Sequence, residues 1–205
     1  MRVLLTGFEP FGGSDVNPSG LAVTLLSERG IEGIDLDIAI LPVTWSGAIP
    51  QLTERFESLQ PDAVVMSGQS GRSHVALEKV GVNLRNGKDN EGAEARGQPV
   101  VPGGPPAYFS TADLGPLAEN LAKDGLPARV SYTAGTFLCN AVLYGLLHHM
   151  AERDLEIPAL FVHVPMLPLQ ASRHQGRDVP PSMSLEDTTA ALQRVVRDLA
   201  FRKSG

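Results

Sequence analysis

"RVLLTGFEPFGGSDVNPSGLAVTLLSERG" (2–30) is the stretch on which the fold turns. It begins with a short, branched apolar run that stops at Gly7, the pattern of a strand buried on both faces. A turn crowded with Gly and Pro follows. Asn17 then stands as N-cap before Pro18 at the first helical position, and Gly30 closes the helix. The segment therefore predicts one strand–turn–helix unit.

The rest of the chain repeats that alternation. Strands are predicted over "IDLDIAILPV" (34–43), "DAVVMSG" (62–68), "HVALEKVGVNL" (74–84), "ARVSYT" (128–133) and "PALFVHVPML" (158–167). Helices are predicted over "WSGAIPQLTERFESLQ" (45–60), where Pro50 is a blemish unless it sits in the first turn, and over "ADLGPLAENLAKDG" (112–125). Two more fall on "TFLCNAVLYGLLHHMAERD" (136–154) and "LEDTTAALQRVVRDLAFRK" (185–203). Between Arg85 and Tyr108 the chain is polar and rich in Gly and Pro, which reads as an ordered loop at the mouth of a site. Strands separated by helices imply a mostly parallel, mixed sheet covered on both faces. The expected architecture is one α/β domain over residues 1–205, a three-layer α/β/α fold of phosphorylase/hydrolase type.

Composition narrows the function. With 42% hydrophobic and 20% charged residues the chain has ordinary globular character. A net charge of −6 argues against nucleic acid or an anionic membrane as a partner. The single cysteine excludes an internal disulfide and suits a reducing compartment. "MRVLLTGFEPFGG" lacks the pattern of a secretory signal, and no run approaches the ~18 apolar residues of a membrane helix. A cytoplasmic protein is expected.

In open α/β sheets, ligands sit beyond the carboxyl ends of the strands. The segments following the predicted strands are "GFEPFGG", "SGQSGR", the surroundings of Glu78, "TAGTFLC" and "HVPMLP". Cys139 has two readings. Free cysteines usually serve as small buried hydrophobes. With Thr136 as N-cap, however, Cys139 falls in the first helical turn, where free amides and the helix dipole favour a thiolate and an oxyanion. A thiolate nucleophile needs a histidine. His148 and His149 lie too far along the same helix, whereas His163 sits near the carboxyl end of an apolar strand, either as a core residue or as a base. Glu78 interrupts a strand-like segment, equally as an exposed edge charge or as the carboxylate that orients an imidazole. No spacing of His, Cys and Asp marks a metal site, and neither glycine stretch has the spacing of a nucleotide loop. No cofactor is expected.

The sequence resembles the pyroglutamyl peptidase I family of cysteine peptidases. The resemblance is carried by "LLTGFEPFGG" with "NPS", "GQSG", "EKVGVNL", "DNEG", "GGPPAYFST", "SYTAGTFLCN", "FVHVPMLP" and "PSMSL", in the family's order from end to end. It implies a triad of Cys139, His163 and Glu78 that removes N-terminal pyroglutamyl residues from peptides through a thioester. It also implies a lactam pocket between Phe8 and Phe11, with Gln69 as a polar contact and Asn17 fixing the first loop. A homotetramer is suggested by the same resemblance. One departure stands out: "NLRNGKDNEG" (83–92) is about two residues shorter than in relatives and lacks their arginine before the acidic residue. Arg85 is expected to supply that charge as oxyanion support. The competing reading is a ligand-binding or phosphorylase-like protein in which Cys139 is structural and Arg72 belongs to an anion pocket; a family member without activity is a third.

Overall fold

The computed structural model describes residues 1–174, 176 and 178–201; the last two residues of the predicted final helix, Arg202 and Lys203, lie outside them. A six-stranded sheet forms the centre. Its strands are β1 (Arg2–Phe8), β2 (Asp35–Leu41), β3 (Ala63–Gln69), β4 (Val75–Glu78), β9 (Ala128–Ser131) and β10 (Ala159–Val164), in the order β2-β1-β3-β10-β4-β9. The first four in that order run parallel, β4 runs antiparallel to β10, and β9 follows β4. The sheet is mixed and mostly parallel, as expected.

Helices cover both faces. The apolar side chains of α1 (Pro18–Arg29), α3 (Leu114–Lys123) and α6 (Leu185–Phe201) pack against one face, burying Leu26, Leu117 and Val195 with Val65 and Val162. α2 (Ala48–Leu59) and α4 (Leu138–Ala151) cover the other, burying Leu52, Val142 and Leu146 with Met66 and Phe161. Asn17 caps α1 by accepting from the Ser19 amide at 3.1 Å, and Pro18 opens the helix. Pro50 falls in the first turn of α2, where its missing N–H costs nothing.

Three expectations need correction. The predicted strand 74–84 is two strands: β4 ends at Glu78, and β5 (Val80–Val82) leaves the sheet to pair with β8 (Ala107–Phe109). The cause is α4, whose side chains are buried almost all round and which therefore needs cover on its outer side. Gly81 provides the close fit: a Cβ there would stand 3.0 Å from the Tyr144 amide nitrogen. Asn140 then stitches α4 to the ribbon, accepting from the Val82 amide at 2.8 Å and donating to the carbonyls of Val82 and Leu84 at 2.9 and 2.8 Å. Second, the presumed loop after Arg85 contains a hairpin of β6 (Arg85–Lys88) and β7 (Glu94–Gln98), besides β8. Third, a short helix α5 (Pro168–Ser172) follows β10, where sequence patterning shows none.

β1 and α1 meet backbone to backbone. A Cβ on Gly7 would lie 2.7 Å from the Ser19 carbonyl oxygen, and one on Gly20 would lie 2.5 Å from the Phe8 carbonyl oxygen. Gly20→Ala is thus expected to destabilise the protein by roughly 1–3 kcal/mol, although helix propensity alone favours Ala by about 1 kcal/mol. A denaturant midpoint that rises in Gly20→Ala would contradict this packing.

Candidate active site

Parallel strands β1, β3 and β10 deliver their carboxyl ends to one edge of the sheet, where Phe8, Gln69 and His163 stand. α4 starts over this edge. A Cβ on Gly68 would come within 3.0 Å of the Cys139 sulfur and 2.8 Å of the Phe161 ring, so only glycine lets the thiol lie this close to β3. The N-cap of α4 is Phe137 rather than Thr136, and no side chain caps this helix start. The Thr136 carbonyl is taken instead by the Asn86 amide at 2.7 Å, which ties β6 to the segment ahead of α4. Cys139 becomes the second helical residue, among amides with no acceptor inside the helix.

Glu78 arrives by a different route. Because β4 is antiparallel to β10, its carboxyl end points away from the crevice, and the carboxyl-end rule does not account for it. Glu78 pairs with Phe161, and His163 lies two residues further along β10 on the same face. The imidazole Nδ1 and Glu78 Oε1 stand 2.7 Å apart. Glu78 is fully buried, and β4 is not an edge strand, so the exposed-charge reading of this residue is excluded. Its second partner is Arg72, whose Nη1 donates to the same Oε1 at 2.7 Å and to Ser131 Oγ at 2.9 Å, while Nη2 donates to the Thr133 carbonyl at 2.9 Å. Arg72 therefore neutralises Glu78, and its guanidinium is not directed to an external anion. Glu78 Oε2 is buried and takes no donor among the described residues.

His163 is buried as well, with 6% of its surface exposed. Burial is the largest influence on it and disfavours the imidazolium. The charge of a Cys139 thiolate and a hydrogen bond to that sulfur, then the hydrogen bond and charge of Glu78, act in the opposite sense and prevail. The pKa is raised from 6.5 to about 9. With Nδ1 engaged by Glu78, Nε2 is the nitrogen left for the thiol.

These groups open onto a cavity of about 170 Å³, small against the ~300–1,000 Å³ of most ligand sites. Phe8, Phe11, Val43, Ala134, Phe137 and Leu138 supply apolar wall, and Asn17 and Gln69 supply amides. Among the described residues, no carboxylate or guanidinium lines it. Asn17 spends much of its amide on the wall itself, donating to the Glu9 carbonyl at 2.9 Å and accepting from Ser19. Arg85 is not in the lining; it is half-buried on β6, and its Nε has no partner among the described residues. Sequence reasoning overlooked two residues that brace the wall. Glu9 accepts from the Val43 amide at 2.9 Å and Asn90 Nδ2 at 3.1 Å, and buried Asp89 accepts from the amides of Trp45, Glu91 and Ala93. Acidic residues inside "GFEPFGG" and "DNEG" were the available signal.

A thiol, a buried imidazole and a buried carboxylate at the mouth of an apolar cavity form the side-chain set of a cysteine hydrolase. Comparison with known proteins makes the class specific. The sequence profile of the pyroglutamyl peptidase family matches residues 1–201. Pyrrolidone-carboxylate peptidase 1 of Ralstonia nicotianae is 41% identical over 204 residues, 98% of this chain and 93% of that one. The pyrrolidone-carboxylate peptidase of Chromobacterium violaceum is 43% identical over 197 residues, 95% and 90% of the two chains. The crystal structure of pyrrolidone carboxyl peptidase from Fervidobacterium islandicum superposes with a TM-score of 0.94 at 38% identity, covering 98% of each chain. The chain belongs to the pyroglutamyl peptidase family and is a cysteine peptidase of the pyroglutamyl peptidase I type. No helix among the described residues is long and apolar enough to cross a membrane.

The order of influences on His163 yields a test. Removing the thiolate in Cys139→Ala deletes the strongest favourable neighbours, so the His163 pKa should fall below about 9, and Glu78→Gln should lower it to a lesser degree. Titration of the imidazole by NMR reads this directly. An unchanged midpoint in Cys139→Ala would remove the thiolate–imidazolium pair from the account.

Proposed function

We propose that the protein removes N-terminal pyroglutamyl residues from peptides by covalent catalysis, with Cys139 as nucleophile, His163 as acid and base, and Glu78 as the group that orients His163. The observation that carries this reading is the Cys139–His163–Glu78 array at the mouth of a small cavity whose described lining holds no carboxylate or guanidinium. A pyroglutamyl ring is flat and uncharged. Its faces suit Phe8 and Phe11, and its N–H and C=O need only a few polar partners, for which the Gln69 amide and the backbone of 134–138 are available.

The geometry supports acyl transfer in two stages. The Cys139 thiolate attacks the carbonyl carbon that joins the pyroglutamyl residue to the next amino acid. The carbonyl oxygen becomes an oxyanion, stabilised by first-turn amides of α4. As the C–N bond breaks, His163 gives its proton from Nε2 to the departing amine, leaving a pyroglutamyl thioester on Cys139. Water then attacks the thioester while His163 takes its proton. The C–S bond then breaks and expels the Cys139 thiolate beside the His163 imidazolium, and the released pyroglutamic acid loses its remaining proton to solvent. Glu78 stays bonded at Nδ1 throughout, holding the ring's tautomer.

Oxyanion stabilisation is assigned to backbone amides rather than to Arg85, because β6 sets Arg85 beside the segment ahead of α4 and outside the cavity lining. A side-chain oxyanion donor is worth about 100- to 1,000-fold in kcat. Arg85→Ala should therefore keep more than about half of wild-type kcat on a pyroglutamyl amide. A loss of 100-fold would return the role to Arg85.

Release of a fluorescent amine from its pyroglutamyl amide tests the reading itself. Cys139→Ala should fold and lose nearly all turnover, His163→Ala should be almost as damaging, and Glu78→Gln milder. Prolyl and glutamyl amides should be poor substrates, since one lacks the ring carbonyl and the other brings a charge into an apolar slot. Equal rates on glutamyl and pyroglutamyl amides, or full activity in Cys139→Ala, would sink it.

A further inference from the structure

Two larger cavities open beside the small one. The first, of about 480 Å³, shares Phe11 and Gln69 with it and continues between the 12–16 turn and the connection from β10 into α5. The second, of about 570 Å³, shares Phe11, Val43 and Phe137 and runs along β6 to Asn90. We propose that the first is the subsite for the peptide that follows the pyroglutamyl residue: Val16, Met166 and Leu169 receive an apolar side chain immediately after the scissile bond, and Asp15 and Arg173 border the residues beyond it. The proposal rests on the peptidase reading above and specifies its substrates.

The direction of the chemistry selects this cavity. At the tetrahedral carbon the oxyanion and the departing nitrogen must point to different groups. The oxygen faces the start of α4, the side on which Phe137 and the second cavity lie. The nitrogen must face His163, its proton donor. From His163 the chain continues along β10 through Val164 to Met166, and Val164 registers opposite Gln69 of β3, with the Ser70 amide bonded to the Val164 carbonyl at 2.8 Å. A peptide leaving on the His163 side thus passes Gln69 and Met166, which both line the first cavity.

One side chain ties three walls of that cavity together. Gln170 Nε2 donates to Ser14 Oγ at 2.9 Å, to the Val16 carbonyl at 3.1 Å and to Gln69 Oε1 at 3.0 Å, and its Oε1 accepts from the Leu167 amide at 2.9 Å. The glycine turn, the end of β3 and α5 are thereby fixed relative to one another, and the groove is formed before a substrate arrives. Gly12 and Gly13 shape the turn with φ of 63° and 80°, which bulkier residues rarely adopt. Leu169 stands 55% exposed on α5, an apolar surface at the groove with little cover. Asp15 and Arg173 lie 3.7 Å apart and largely in solvent, so each offsets the other and the intact groove discriminates little by charge.

The test compares kcat/KM for two substrates of the full chain: pyroglutamyl para-nitroanilide, whose leaving group ends at one ring, and a pyroglutamyl-leucyl tetrapeptide amide. Leu169→Glu should lower the peptide-to-anilide ratio about ten-fold, mainly through KM for the peptide. Arg173→Glu should shift preference between Glu and Lys at the residue after leucine towards Lys by about two- to five-fold, the scale of an exposed charge pair. Lys88→Ala, in the second cavity, should leave the ratio unchanged. The anilide rate reports folding and chemistry in each variant. An unchanged peptide-to-anilide ratio in Leu169→Glu together with an unchanged Glu/Lys preference in Arg173→Glu, or a fall in the ratio confined to Lys88→Ala, would overturn the assignment. Failure of the wild-type protein to cleave either substrate would overturn the peptidase reading and this subsite with it.

Discussion

Glu78 is a carboxylate with no solvent exposure inside a β-sheet, and much of the molecule is arranged to make that tolerable. An unpaired charge in such a place is prohibitive, and removing one partner of a buried ion pair typically costs about 3–5 kcal/mol. Both partners of Glu78 converge on a single oxygen: His163 from the neighbouring strand and Arg72 from the turn ahead of β4. Arg72 is itself anchored by Ser131 and the Thr133 carbonyl, just beyond the edge strand. The carboxylate thus links β10, β4 and β9. The imidazole it holds cannot turn without breaking a charged hydrogen bond, and the raised pKa of His163 partly reflects the same contact.

Precision at the thiol comes from a second buried polar residue. Asn140 follows Cys139 and spends its amide on the backbone of β5 and its exit, which fixes the first turn of α4 against a ribbon outside the main sheet. Gly68 fixes the other side by allowing the sulfur to approach β3. The cavity wall is braced separately, by Glu9, Asp89 and Asn90 acting on backbone groups of the facing loops. Polar side chains near the cavity therefore divide between the few that face it and the many that hold its walls.

This division explains what could be read from the sequence. The strand–helix alternation was legible because buried strands and capped helices leave period and punctuation, as "RVLLTG" and "NPSG" do. Cys139 and His163 stood out as reactive side chains at the ends of apolar segments. The departure of β5 from the sheet left no such mark: "VALEKVGV" holds no proline and no turn cluster between its two halves, and the break at Lys79 answers to α4, more than 50 residues further on. The hairpin of β6 and β7 is polar on both faces, so it has no hydrophobic period to find. Arg72 was visible but received a role only in the competing reading, as part of an anion pocket, because the sequence does not reveal that Glu78, six residues later, is buried and in need of a cation.

Strand direction is what allows a fully buried carboxylate to serve this site. Had β4 run parallel to β10, its last residue would lie at the open edge of the sheet, where solvent weakens a charged contact and lets the side chain wander. Running antiparallel, β4 instead sets Glu78 opposite Phe161, one step inside the sheet from His163. From there it reaches only Nδ1, and Nε2 remains directed to the thiol and the cavity. The imidazole is consequently polarised from the dry side and works on the wet side. In the proposed function, a pyroglutamyl residue entering the cavity meets Cys139 and His163, whereas Glu78 lies behind the imidazole. That separation keeps the Glu78 carboxylate out of the described cavity lining, which under the proposed function favours an uncharged lactam over a charged glutamate.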